Sequence, residues 1–289
     1  MRPSALPGLL AATLLLTPPA AWGGSSTIVE VDGSACMGDS LSRKQTETQA
    51  LAETKRAAAE SAATYVKSQS TVENAMLTDD LIAAYSAAKV TVIEVLQRGW
   101  YNDPMAGDCF GMKIKAEVTP DEAAIAQAAK KGGRNTLDDP TAPLTVKVWT
   151  SQEHYQPGEH MQVYLKGNKP FYARVVYQQA DGTQVQLLPN SYRSANHFQG
   201  GVVYSIPDGE DRFDLEVSPP FGDESVTVYA STAPLGEVAT QDAGGVYVVQ
   251  GNLGVHSRGI KLVGAASGGH GGGNAAEFSE QKARMVSGP

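Results

Sequence analysis

Residues 144–190, LTVKVWTSQEHYQPGEHMQVYLKGNKPFYARVVYQQADGTQVQLLPN, decide the fold of the second half of the chain. Four runs within it, LTVKVW, HMQVYLKG, FYARVVYQ and QVQLLP, alternate apolar and polar side chains. Pro157-Gly158 and Ala180-Asp181-Gly182 punctuate them as turns. GVVYSIP, FDLEVSP and SVTVYAS continue the pattern to Ser231, with Asp208-Gly209 between two of them. Seven short strands, with turns about every ten residues, predict an all-β immunoglobulin-like sandwich over residues 143–236.

One connection in this block, LLPNSYRSANHFQGG over residues 187–201, has two readings. Pro189 cannot donate a ladder hydrogen bond, so it ends a strand, and Asn190 can close the next turn with its own side chain. In that reading the stretch only joins two strands. In the other, Tyr192, Arg193, Asn196 and His197 form a candidate binding rim, because loops at the end of a sandwich collect ligand contacts. Trp149, Tyr155, Tyr172 and Tyr192 are the aromatics available for stacking on a ligand, and packing is the competing use for each.

Upstream, STIVEVDGSACMG alternates and then breaks at Asp32-Gly33, a strand and a turn. From Ser40 to about Ser68 there is no Gly or Pro, and Ala, Glu, Lys, Arg and Gln dominate. A long amphipathic helix is expected, with Leu51, Ala58, Ala62, Tyr65 and Val66 on one stripe and Ser40 or Ser42 as its cap. TDDLIAAYSAA predicts a shorter helix capped at Thr78 or Asp79. KVTVIEVLQRGW and CFGMKIKAEVTP alternate and predict an antiparallel pair. The expected first domain is therefore α+β, a long helix packed on a small antiparallel sheet.

The boundaries that follow are 1–23, 24–122 for the α+β domain, 123–142 for a linker, 143–236 for the sandwich and 237–289 for a Gly-rich extension. In the extension GGVYVVQG and RGIKLVG suggest added strands, EFSEQKARMV suits a strand or a short helix, and GAASGGHGGGNAAE is a spacer. Residues 1–23 have a cation at Arg2, an apolar run from Leu6 to Leu16, Pro18-Pro19 and small residues to Gly23, the pattern of a secretory signal peptide. That run is short of the ~20 residues a membrane span requires, and no later segment reaches it. A periplasmic or extracellular location is expected.

The only two cysteines, Cys36 and Cys109, are expected to form a disulfide in such a compartment. Two buried free thiols are the alternative, and a redox or metal pair lacks the usual spacing. A net charge of -8 without a basic cluster argues against nucleic acid and anionic lipid as partners. The five histidines, 154, 160, 197, 256 and 270, show no ligand spacing, and no GxSxG, P-loop or dinucleotide motif is present. Asp208, Glu210, Asp211 and Asp214 crowd one turn without the calcium-loop pattern, as a solvated acidic turn would. No enzyme activity, metal or cofactor is expected.

Two resemblances add to this. SRKQTETQALAETKRAAAESAATYVKSQSTVENAMLTDDLIAAYSAAKVTVIEVLQRGW resembles the N-terminal domain of flagellar assembly protein T and related envelope lipoprotein domains, through positions such as Ala57, Ala58, Glu60, Val66, Ser68, Asp80, Ile82 and Leu96. Ala88 departs from the glycine usual there. That resemblance implies a non-catalytic module used in assembly contacts. Tyr155, Gly158-Glu159, Asp181-Gly182, Leu187 to Asn190, Ile206-Pro207, Phe213, Pro220, Gly222, Glu224 and Pro234-Leu235 are similar to the bacterial domain of unknown function numbered 4384. It implies a β fold and no reaction. The functional expectation is a secreted, non-catalytic envelope protein that binds or assembles with other envelope proteins; the alternative is a small-ligand or glycan-sensing sandwich.

Overall fold

The absence of Gly and Pro between Ser40 and Ser68 lets one helix, α1 (Arg43–Gln69), run for 27 residues. Ser42 caps it: the Gln45 amide donates to Ser42 Oγ at 3.4 Å and the Ser42 amide to Gln45 Oε1 at 2.9 Å, a reciprocal box. The buried stripe is Thr46, Ala50, Thr54, Ala58, Ala62 and Val66, so it passes through two threonines and leaves Leu51 half-exposed. The reason is the close approach of β1 (Ser25–Cys36), where a side chain at Gly33 would collide with Thr54. Thr54 tolerates burial because its hydroxyl bonds the Ala50 carbonyl of its own helix.

This computed structural model describes residues 24–69, 83–85, 87–121, 123–125, 135–242, 247–260 and 275–289. The expected signal segment, residues 264–274 of the spacer with His270 and most of the shorter helix lie outside the described residues; 83–85 of that helix are helical, and the last three residues of the expected spacer, 275–277, instead begin the strand Ala275–Ser287. No helix among the described residues is long and apolar enough to cross a membrane.

The helix covers one face of an antiparallel set in which β3 (Gly107–Thr119) lies between β1 and β2 (Lys89–Asp103). Val29, Ile114, Ala116 and Val118 meet Ala58, Ala62 and Val66 there. Cys36 lies directly opposite Cys109 in the β1–β3 ladder, and the two are joined as a disulfide. Asp103 Oδ1 accepts from the amides of Met105 and Ala106 and closes the tight β2–β3 turn.

The second half supplies β4 (Val146–Thr150), β5 (His154–Tyr155), β6 (Val163–Gly167), β7 (Phe171–Gln178), β8 (Gln184–Leu188), β9 (His197–Phe198), β10 (Val203–Ile206) and β11 (Asp223–Ser231). After these come β12 (Thr240–Asp242), β13 (Tyr247–Val249), the one-turn α2 (Leu253–Ser257) and β14 (Ala275–Ser287). The run FDLEVSP forms no full strand; it bonds to residues 158–161 through three backbone hydrogen bonds, with Phe213, Leu215 and Val217 turned inward. The described residues are mostly β, in two sheets. Strands β10, β6 and β4 make the smaller one, and the larger runs β12-β13-β8-β7-β11-β14-β1-β3-β2, with β5 and β9 beside it. An apolar cluster including Leu165, Phe171, Val175, Leu188, Phe198, Ile206 and Val228 fills the space between the two sheets.

The larger sheet does not stop at the linker. Strand β14 pairs with β1 through Ala275 to Ser279 and with β11 through Phe278 to Val286, so it joins the first, helix-bearing half to the second half. Glu277 is buried at this junction, 2% exposed. Its carboxylate accepts from Leu144 N at 2.6 Å and from Lys169 Nζ at 3.1 Å. The other face carries residues 233–238 and 253–260: Arg258 reaches Glu117 and Glu280, Lys115 reaches the Ile260 carbonyl, and Arg174 is held by Ser257 and the Gly236 carbonyl. Burial pulls the Arg174 guanidinium below its ordinary range. Burial also acts against the Arg258 charge, but Glu117 and Glu280 outweigh it and raise its pKa.

Candidate functional site

The end of the two-sheet half opens into a cleft of about 230 Å³. Tyr177 and Val185 come from the larger sheet, Leu187 from the end of β8, and Phe213, Leu215 and Val217 from the irregular run, with Met161 beneath. Among the described residues that run pairs with residues 158–161, whereas β8 pairs with β7 and β13, so no ladder joins the two cleft walls. Tyr192, 54% exposed, lies at its mouth with its ring 6.3 Å from that of Phe213. Asp214 and Glu216, both exposed, alternate with the inward Phe213, Leu215 and Val217 along the same wall. The Tyr177 hydroxyl bonds Glu224; burial first, and then that bond and the carboxylate charge, raise its pKa well above the ordinary tyrosine range. It therefore stays protonated and donates.

The four sequence-derived rim residues do not converge on this cleft; only Tyr192 lines it. Arg193 turns away and donates from Nη1 to Asp208 Oδ2 and Asp211 Oδ2, both at 2.9 Å. The acidic turn is thus not simply solvated: Asp211, 5% exposed, is held beneath Arg193. The Asn196 carbonyl accepts from Ala173 N, which anchors the loop to β7. His197 packs on Tyr172, ring centroids 4.7 Å apart. Asn190 closes the loop as expected, its Oδ1 accepting from the amides of Tyr192 at 2.8 Å and Arg193 at 2.7 Å. Of the other aromatics, Tyr155 is core and Trp149 stacks on Tyr164 with Lys147 on its ring. Among the described residues no three His, Cys, Asp or Glu side chains gather as a metal site requires.

Residues 154–234 match the family model of a domain of unknown function, DUF4384. The cleft lining, from Met161 to Val217, lies wholly within the DUF4384 stretch. No curated protein matches the chain. No solved structure matches it either.

Sequence reasoning missed Phe213, Leu215 and Tyr177 as site residues. The FDLEVSP alternation signalled an inward apolar row, but a full strand was the natural reading of it. What the arrangement can do follows from its lining: it can take an apolar group out of water.

Proposed function

We propose that the protein is a secreted, non-catalytic module of the bacterial envelope that binds other envelope proteins, with the cleft beneath Tyr192 receiving an apolar side chain of the partner. The observation that carries this reading is the cleft itself, apolar inside and bordered by the exposed residues Tyr192, Asp214 and Glu216. The export-type pattern in residues 1–23, the paired cysteines and the DUF4384 match support the compartment and the envelope setting. In this reading residues 143–236 act as an immunoglobulin-like sandwich whose end presents the site. The first half serves in assembly contacts, as its resemblance to the flagellar assembly protein T domain implies.

The test is crosslinking and affinity capture of the tagged protein from envelope fractions, wild type against Tyr192→Ala. Tyr192 is exposed, so its truncation leaves the fold intact. The same envelope proteins should come with wild type in every replicate and fall by about tenfold or more with the variant, as for an aromatic hot spot. Equal recovery with both proteins, or recovery with neither, would overturn the reading. A second reading, a sensor for a small apolar ligand, is favoured by the cleft volume of about 230 Å³, near the lower end for ligand pockets. A thermal-shift screen in which no compound raises the midpoint would remove it.

A further inference from the structure

Strand β2 is the last strand of the larger sheet, and among the described residues nothing pairs with its outer edge. It is 15 residues long. From Glu94 to Gly99 every residue is exposed, so neither α1 nor the described residues on the other face cover this stretch. Val95 at 44%, Leu96 at 38% and Tyr101 at 46% exposure put apolar surface there. Proteins usually protect such an edge with shortness, proline, charge or bulges. Here the strand is long and lacks proline; it has bulges at Ile93 and Leu96 and charges at Lys89, Glu94, Arg98 and Asp103.

We propose that this edge pairs antiparallel with the same edge of a second copy of the chain, about a two-fold axis at Gln97. The β2–β3 register sorts the side chains. Lys89, Thr91, Glu94, Gln97, Gly99, Tyr101 and Asp103 share one face; Val90, Val92, Val95, Arg98, Trp100 and Asn102 share the other. Two copies overlapping over the full strand set Lys89 of each against Asp103 of the other. Thr91 then meets Tyr101 and Val92 meets Trp100, the β-branched and aromatic pairs that favour antiparallel neighbours. No charge faces its like. The bulge at Ile93 falls opposite Gly99, where a side chain would have open space around it. A foreign strand would have to bring an acid and a base at matching ends, whereas this strand already carries both. The pairing is independent of the cleft beneath Tyr192.

Sedimentation velocity over a dilution series tests it on the full chain. Wild type should show a concentration-dependent dimer that weakens with salt. Lys89→Glu puts like charges opposite each other at both ends and should raise the dimer dissociation constant about tenfold. Adding Asp103→Asn to that variant removes the repulsion while keeping the oxygen that closes the hairpin turn, and should recover part of the loss. Gln97→Cys lies on the axis and should crosslink two chains on oxidation, whereas Thr91→Cys, facing Tyr101, should not. A monomer at every concentration, a Lys89→Glu protein as dimeric as wild type, or equal crosslinking at both cysteines would overturn the proposal.

Discussion

Removing the Glu277 carboxylate should weaken the whole molecule, because the pair it forms is buried at the junction of the two halves. Lys169 Nζ lies 3.0 Å from Glu277 Oε2, and the two side chains are 12% and 3% exposed. At that distance the gross attraction is about 5 kcal/mol for an effective dielectric of about 20, most of which desolvation offsets while both partners are present. Glu277→Ala leaves an uncompensated ammonium and strips the Leu144 amide of its acceptor, so the expected loss is about 3–5 kcal/mol. That is a large share of the ~5–15 kcal/mol that holds most domains folded. Glu277→Gln keeps an oxygen for Leu144 and should cost less. Combining Glu277→Gln with Lys169→Met removes both charges and should return to within about 1 kcal/mol of wild type. Urea unfolding followed by circular dichroism measures all three. Trp100, next to Glu47 of α1, and Trp149, stacked on Tyr164 of the smaller sheet, report the two halves separately by fluorescence. A Glu277→Ala loss below about 1 kcal/mol, or a double variant less stable than Glu277→Gln alone, would refute the reasoning.

The remaining expectations concern the core, the crosslink and alkaline pH. Gly33→Ala would set a methyl 2.2 Å from Thr54 Oγ1 and 2.8 Å from Thr54 Cα, so α1 must shift; a loss of about 1–3 kcal/mol in urea unfolding is expected, and an unchanged midpoint would contradict it. Replacing Cys36 and Cys109 together by serine opens a crosslink spanning 73 residues, which should cost about 4 kcal/mol by loop entropy and lower the thermal midpoint. Tyr65 and Tyr229 are pushed from 10.0 up to about 12, chiefly by burial and then by the charges of Glu277 and Glu280 respectively. Because the unfolded chain ionises first, their contribution is intact below pH 10 and is lost as the pH rises toward 12, so urea midpoints should fall across that window. A constant midpoint there would count against it.

Long periodic elements were legible in the sequence, and contacts between distant residues were not. The helix α1 could be read because 27 residues contain neither Gly nor Pro, yet its buried stripe shifted to Thr54 because the depth of the groove at Gly33 is a tertiary fact. The FDLEVSP run showed its inward face but not that its only pairing partner is residues 158–161. Arg193 and the acidic turn were each visible, but their ion pairs join residues 15 and 18 positions apart. Strand β14 was ambiguous because its first half is buried on both faces while carrying Glu277 and Ser279, which erases the alternation a half-buried strand displays. Of the cleft, Tyr192 was legible as an exposed loop aromatic; the wall contributed by Tyr177 required the fold.

Strand β14 also sets an order of events in folding. It occupies an inner position of the sheet although, among the described strands, it leaves the ribosome last. Until it arrives, β1 and β11 have lateral edges with nothing between them, and the first half has no finished route to the second. Pairing β14 with β1 closes a loop of nearly the whole chain, the kind of contact that forms slowly. The central sheet therefore closes only after nearly all of the described strands have been made, and its completion waits on the longest-range pairing in the fold.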